Sequence, residues 1–532
     1  MLSSKEVTTI IDSTMKRKFL TYISLAVAGA MISTSCTDDF AETNTDPTAY
    51  SPANYEPNYL LTASQLMYTG SSDNAYETWR GNLIYASTMM QQLSTVIGYW
   101  AGDKYILNPD YASAYWDKAY PDQVKPAVEL VQFTKDKEKY KNLHQVGRIM
   151  RALILQRVTD LYGDVPYFDA GMGYYSKNYF PVYDKQEAIY ADLLKEIEEA
   201  TNALDASADK PIGDMIYDGD IEKWKRFGNT LLLRTAMRLT KIDPERAKQY
   251  VTKVAGKTMQ SNDDNAVLQH DASGSWTTQN RNSIVLLKGP ENQNVKLSQA
   301  YINFLKDNDD PRLAVIAVTN PTYDPSGNAT GGNADPDVQK GMPNGYDLGG
   351  VRPITGAPGY TTVGDYSSLS PSLLSLAGPS FILTYAESEL LLADAAQRWG
   401  VGGDAETHYN NGVKAGITYF NQYPNVGNLD AAADDYLAAH PYDADDGLEM
   451  INTQFWAATL LNGYEAWFNW RRTGLPNLTP VNYPGNATSG NIPRRFPYPV
   501  SEANNNPINY KTAHDAVPGG DNLSGRVWWD KQ

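Results

Sequence analysis

The sequence predicts a mostly α-helical protein in which antiparallel helical pairs are interrupted by a large loop-rich insertion. Three observations carry that reading. Apolar residues recur three and four apart in several long windows, which places them on one face of a helix. Between Ser261 and Pro379 the character changes to Gly, Asn, Pro, Asp and Ser, with Trp276, Tyr323, Tyr346, Tyr360 and Tyr366 scattered among them. The helical pattern then returns as far as Arg472, ahead of a Pro- and Asn-rich tail.

In chain order, residues 1–35 read as an export signal. Lys16, Arg17 and Lys18 form a basic head behind Met15, which reads as the start of translation. Phe19 to Ile32 is an apolar run too short to span a bilayer as a helix, and Ser33, Thr34 and Ser35 are the small residues that precede a cut. Cys36, the only cysteine, follows directly. A cysteine at the cut resembles the bacterial lipobox, in which the thiol receives diacylglycerol and the new amino terminus a further acyl chain. Each buried CH₂ contributes about 0.8 kcal/mol, so several chains anchor far more firmly than one. With its only thiol lipidated the mature chain has no disulfide, and its fold must rest on its core.

Residues 36–57 read as a lipidated tether and lead-in segment, acidic at Asp38 and Asp39 and rich in turn residues, and residues 58–532 as a single domain. The 532-residue chain carries 45 Lys and Arg against 62 Asp and Glu, a formal charge of −17. Residues 1–35 hold four of the basic and two of the acidic residues, so the mature charge is −19. Such a surface repels nucleic acid and anionic lipid, which leaves the acyl chains as the attachment to a membrane. No later segment reads as a transmembrane span.

Within the domain, helical pairs are expected at roughly 112–260 and 380–475, flanking a ligand-bearing loop region at roughly 261–379. Leu143 to Tyr162 places Val146, Met150, Ile154, Val158 and Leu161 on one face, and Gly163 stops it. From Ile189, Leu193, Ile197, Ala200 and Leu204 repeat the stripe with Lys195, Glu196, Glu198 and Glu199 on the wet side. Ile221 to Thr240 reads as its partner, and Asp243 with Pro244 supplies a cap and a first-turn proline for the next helix. A short helix is expected at Leu297 to Lys306, and longer ones at Phe381 to Trp399, Ala405 to Phe420 and Leu448 to Arg472. Loosely repeated helix pairs suggest tetratricopeptide-like stacking, without the full repeat signature. An irregular stretch as long as 261–379 in an ordered protein points to function, and its aromatics need something to pack on.

The 37 tyrosines outnumber the 12 phenylalanines, with 11 tryptophans beside them. Tyr and Trp combine a flat apolar face with a polar tip, which suits half-wet surfaces that stack on a polar ring or meet another protein. Catalysis finds little support: there is no H-E-x-x-H, G-x-S-x-G or G-x-x-x-x-G-K-[ST], and the five histidines (His144, His270, His408, His440, His514) show no metal spacing. D-A-D-D-G at Asp443 to Gly447 resembles the head of a calcium loop, yet its glycine comes one residue early and Gln454 stands where the closing glutamate would be. The chain therefore reads as a binding protein that needs no cofactor or metal. A glycosidase requires only a carboxylate pair, so hydrolysis stays as a third reading.

Several segments carry a resemblance. R-V-T-D-L-Y-G-D-V-P-Y at Arg157 to Tyr167, T-Y-A-E-S-E-L-L-L-A at Thr384 to Ala393 and E-A-W-F-N-W-R-R-T-G-L-P at Glu465 to Pro476 occur in order. So do N-T-D-P at Asn44 to Pro47, D-D-P-R-L at Asp309 to Leu313 and R-R-F-P-Y-P at Arg494 to Pro499. Together they resemble the SusD/RagB family, on its SusD-like branch. The resemblance implies a helical body with four tetratricopeptide-like units. It further implies a surface-exposed outer-membrane lipoprotein that captures an oligosaccharide and delivers it to a SusC-like TonB-dependent β-barrel transporter. Some relatives take peptides, so an oligopeptide receptor of the RagB type is the rival reading.

The motifs themselves read as structural. Asp160 and Asp164 bracket the helix end at Gly163, while Glu387, Glu389, Arg471 and Arg472 suit buried pairing and the helix dipole. The ligand platform is expected elsewhere: Trp79, Tyr99 and Trp100 in an early aromatic loop, with Trp276, Gln279, Asn280 and Arg281 in the irregular region. Aromatic faces there would stack on the C–H faces of sugar rings while Asn, Gln and Arg satisfy the hydroxyls.

Overall fold

The apolar stripes become paired helices in the computed structural model, which describes residues 55–73, 75–324, 328–347 and 361–531. The export signal, Cys36, the N-T-D-P segment and Tyr360 lie outside the described residues, as does the side chain of Trp276. From Pro57 onward the chain forms one unit. Its α-helices of nine or more residues as far as Thr473 are, in order, α1 (Asn58–Tyr68), α2 (Pro109–Lys118), α3 (Lys125–Thr134), α4 (Lys141–Tyr162), α5 (Gln186–Asn202), α6 (Ile221–Met237) and α7 (Pro244–Val254), then α8 (Gln299–Asp307), α9 (Tyr385–Trp399), α10 (Ala405–Thr418), α11 (Asp430–Ala439), α12 (Gly447–Ala458) and α13 (Gly463–Thr473). Successive helices pack on one another through α3 to α7 and again through α9 to α11, and α12 packs on α9, α10 and α13.

The predicted stripes are buried, and α4 is buried on every side from Ala152 to Tyr162. Val146, Met150, Ile154, Val158 and Leu161 of α4 have no exposed surface, nor have Ile189, Leu193, Ile197 and Ala200 of α5. Caps set the ends. Gly163 closes α4 with φ +86°, a conformation that favours glycine. Asp220 and Asp243 accept the N–H groups of Lys223 and Arg246 at the starts of α6 and α7, each at 3.1 Å.

Two expected helices differ. Residues 379–383 form a strand antiparallel to Ala266–Gln269, with Val267 opposite Phe381 and Leu268 opposite Ser380. Helix α9 begins only after Thr384, whose hydroxyl accepts the Glu387 N–H at 3.2 Å. The consecutive apolar run Phe381-Ile382-Leu383 suits a short strand better than one helical face. The expected helix from Leu448 to Arg472 is two helices, broken at 459–462 where Leu461 takes φ +67°. The carbonyl exposed by the break accepts the side-chain amides of Asn82 (3.0 Å) and Asn282 (3.2 Å).

The insertion is tied down. The ladder between 266–269 and 379–383 joins its two ends, and Val295–Leu297 pairs with Leu93–Thr95. Two of its aromatics, Tyr346 and Tyr366, are 1 % exposed in a cluster with Val96 and Met342.

A buried charge network links the motifs. Arg234 forks onto Glu387 at 2.5 and 2.7 Å, and Arg238 meets Glu465 at 2.5 Å and Asp160 at 3.2 Å. Asp160 also accepts the Tyr190 hydroxyl and the Trp529 indole N–H. Asp164 accepts the Gln186 N–H at 2.9 Å and Lys185 Nζ at 2.7 Å, which fixes the start of α5. Arg472 pairs with Asp394, and Glu389 with His408. Arg471 instead donates to the carbonyls of Asp160 and Arg494 and lies against the rings of Trp467, Phe468 and Trp529. Gln454, in the position of a calcium-loop glutamate, faces inward and accepts Arg312 Nη2 at 2.7 Å.

Candidate functional site

Of the expected early aromatic loop, Trp79 lies on a π-helix, Thr78–Ser87, a geometry frequent at functional sites. Gly102 permits the close approach: a Cβ there would stand 2.0 Å from the Ile84 carbonyl oxygen. The contact seats the segment bearing Tyr99 and Trp100 directly on the helix that bears Trp79.

A cluster of rings and one guanidinium results. The Arg80 guanidinium carbon lies 3.9 Å from the centre of the Tyr76 ring, 4.8 Å from Trp79 and 5.3 Å from Tyr111. Tyr99 meets Trp79 edge to face, with ring centres 6.1 Å apart and planes at 86°. Tyr76, Trp79, Arg80 and Tyr111 are half-buried and Tyr99 is 38 % exposed, so the rings are held from behind and reach solvent in front. The Tyr99 hydroxyl donates to Glu291 Oε1 at 2.5 Å. Burial, then that bond, push its ionisation well above the ordinary tyrosine range, so it stays a neutral donor. Lys118 pairs with Asp73 at 3.0 Å and sits 5.5 Å from the Tyr76 ring at the edge of the cluster.

Of the residues expected to form the platform, Trp79 and Tyr99 are together and reach solvent. Trp100 is a correction: it has no exposed surface, and its indole N–H donates inward to Glu291 Oε1 at 3.3 Å, so it supports the loop and offers no stacking face. Gln279, Asn280 and Arg281 are corrections of the same kind. Arg281, 1 % exposed, donates to the carbonyls of Gly70, Gln279 and Thr277 at 2.8–2.9 Å. Asn280 caps the helix Arg281–Leu286 through the Ser283 N–H and donates to the carbonyls of Gly378 and Pro379. Gln279 is buried and donates to the Ala272 carbonyl. These side chains clamp loops together, and through Gly70 they lock the irregular region onto the segment that leads into the π-helix.

Sequence reasoning missed Tyr76, Arg80, Tyr111 and Glu291. Tyr76 and Arg80 were within reach, because they flank Trp79 at three residues and one. Tyr111 and Glu291 arrive from distant elements, and nothing local marks them.

Comparison with known proteins identifies the family. The SusD-like family model, described as starch-binding associating with outer membrane, matches residues 53–499. The chain belongs to the SusD-like family. A solved chitin-binding protein is 32 % identical over 90 % of this chain and all of its own, with a TM-score of 0.78. A chitin-binding SusD homologue from Flavobacterium johnsoniae is 23 % identical over 89 % of this chain and 98 % of its own, at a TM-score of 0.72. A SusD homologue from Bacteroides uniformis is 22 % identical over 90 % of this chain and all of its own, at 0.73. The last two share the SusD-like fold. The comparison with curated proteins gave no match. Among the described residues of this SusD-like chain no helix is long and apolar enough to cross a membrane.

Proposed function

We propose that this chain is a non-catalytic, cell-surface glycan-binding lipoprotein, anchored through Cys36 in the outer membrane, that captures an oligosaccharide and delivers it to a SusC-like TonB-dependent transporter. The observation that carries the proposal is the solvent-facing cluster of Trp79, Tyr99, Tyr76 and Arg80. Fixed ring faces suit the apolar C–H faces of a sugar, and a guanidinium and hydroxyls beside them suit its hydroxyl groups. The chitin-binding relative supports glycan over peptide. Trp276 is proposed as a further stacking residue, since its short helix, Ser275–Thr278, adjoins Arg281 through the Thr277 carbonyl.

A glycan and peptide array probed with the chain from Thr37 onward tests the ligand class: signal on glycans alone supports the proposal, and signal on peptides alone overturns it in favour of the oligopeptide reading. Mild-detergent extraction of the lipidated protein should bring a β-barrel with it, and Cys36→Ala should lose acyl labelling. A chain that migrates alone under conditions that keep other membrane complexes together removes the transporter from the account.

A further inference from the structure

The surface cluster accounts for few of the apolar side chains that this chain leaves in solvent. Of the eight large ones that are more than half exposed among the described residues, six lie on two segments: Tyr174, Tyr179, Phe180 and Val182 ahead of α5, and Val500 and Ile508 in the Pro- and Asn-rich tail. Side-chain amides tie the segments together. Asn506 donates to the Pro181 carbonyl at 2.7 Å, and Asn509 to those of Phe180 and Pro181 at 3.0 and 3.2 Å. The Tyr183 hydroxyl donates to Glu502 Oε2 at 2.7 Å. Tyr179 packs on Gly173, where a Cβ would stand 3.2 Å from its ring, and so next to Tyr174.

Size and composition both mark a protein interface. At about 150–250 Å² for a whole aromatic side chain, and less for Val and Ile, the six expose on the order of 700 Å². That exceeds the roughly 300–600 Å² of the largest apolar patch on an ordinary monomer and approaches the ~800 Å² that one partner gives to a stable interface. Residues 171–183 and 496–510 hold two charged residues, Lys177 and Glu502, in a chain that is 20 % charged. Both are engaged, Lys177 Nζ with the Tyr174 carbonyl at 2.8 Å and Glu502 with Tyr183. The next charges along the tail, Lys511 and Asp515, pair with each other. Aromatic enrichment with charge depletion belongs to the centre of a protein interface. A seat for lipid headgroups calls for several free cations, and two copies of a chain of formal charge −17 repel each other.

Helix α2 joins this patch to the surface cluster. Tyr111 near its start lies beside Arg80, Lys118 at its end lies 5.5 Å from the Tyr76 ring, and Trp116 between them stacks on Tyr183 with ring centres 5.6 Å apart and planes at 25°. At 1.5 Å per residue α2 spans about 15 Å, so a body seated on the patch borders the rings that face solvent. We infer that the patch of Tyr174, Tyr179, Phe180, Val182, Val500 and Ile508 is the seat of a protein partner, the β-barrel transporter, which must stand beside the surface cluster to receive its glycan. The partner's identity rests on the transporter reading above.

Phe180→Asp/Ile508→Asp puts two charges into the patch and removes no side-chain hydrogen bond. Full-length lipidated protein pulled down from mild detergent, with the barrel identified by mass spectrometry, should recover about tenfold less barrel with this variant than with the parent. Phe180→Leu/Ile508→Leu should recover as much as the parent, and so should Val338→Asp, which charges an exposed apolar position of the loop-rich insertion. Melting temperature and glycan affinity of the aspartate variant should match the parent's. A folded aspartate variant that loses glycan affinity makes the patch part of the glycan surface and overturns the proposal. One that holds the barrel like the parent overturns it as well: loss of a dimer on sizing then assigns the patch to a second copy, and loss of binding to phosphatidylcholine vesicles assigns it to lipid. If the parent itself recovers no barrel, the transporter reading has failed and this proposal falls with it.

Discussion

The Tyr99 hydroxyl donates to Glu291 Oε1 at 2.5 Å, joining an exposed ring at the start of the chain to a 4 % exposed carboxylate from the loop-rich insertion. The same oxygen accepts the buried Trp100 indole. One side chain thus sets the orientation of the ring that faces solvent and satisfies the ring that does not.

Glu291→Ala should therefore act on both stability and binding. It leaves the Trp100 N–H buried without an acceptor, a cost of about 1–3 kcal/mol, and frees Tyr99 to turn away from Trp79. Glu291→Gln keeps an acceptor oxygen and should retain most of both properties. Melting curves and glycan titrations on the two variants check this; an alanine variant that melts and binds like the parent would show that the loop does not depend on Glu291.

The buried network predicts a different signature. Glu387→Ala leaves Arg234, 0 % exposed, without its forked partner and should cost about 3–5 kcal/mol, measured by chemical unfolding. The double change Arg234→Met/Glu387→Leu removes the charge along with its partner and should be less destabilising than Glu387→Ala alone. Folded variants should bind glycan as the parent does, since neither residue touches the surface cluster.

Acid should loosen the loop that carries Trp276. His270 donates from Nδ1 to the Thr278 carbonyl, which can only accept, and in the neutral ring Nε2 then accepts from the Ser380 hydroxyl. Burial, partly offset by the bond to Thr278, lowers its pKa to about 4. Between the unfolded value near 6.5 and that folded value the unfolded state binds more protons, so this contribution is intact above about pH 6.5 and is lost as pH falls toward 4. The difference corresponds to about 3 kcal/mol. His270→Gln should flatten the stability profile across that window; an unchanged slope would remove His270 as its source.

Much of the helical body was legible because its signals are local. The α4 and α5 stripes, the Gly163 stop and the Asp243 cap are set by residues within a few turns of one another. Residues 381–383 of the strand read as helix because their partner strand, 266–269, lies over a hundred residues upstream, and the break at Leu461 depends on acceptors supplied to Asn82 and Asn282. The site was legible only in part for the same reason. Trp79 and Tyr99 announced themselves as aromatics in an irregular segment, but chemistry in sequence does not separate Arg80, which flanks the open rings, from Arg281, which is sealed beneath Gly70. Polar residues of a loop-rich region are as often needed to satisfy the backbone carbonyls of that region as to meet a ligand.

The central claim is that the open rings bind glycan while the buried ones hold the fold, and Trp79 and Trp100 separate the two roles. Calorimetric titration of Trp79→Ala with chitin oligosaccharides, or with the glycan an array selects, should show affinity reduced about 10- to 100-fold, equivalent to about 1.4–2.8 kcal/mol. Its melting temperature should fall less than that of Trp100→Ala, whose loss from the core costs about 3–5 kcal/mol. A Trp79→Ala protein that binds the glycan as tightly as the parent would contradict the account.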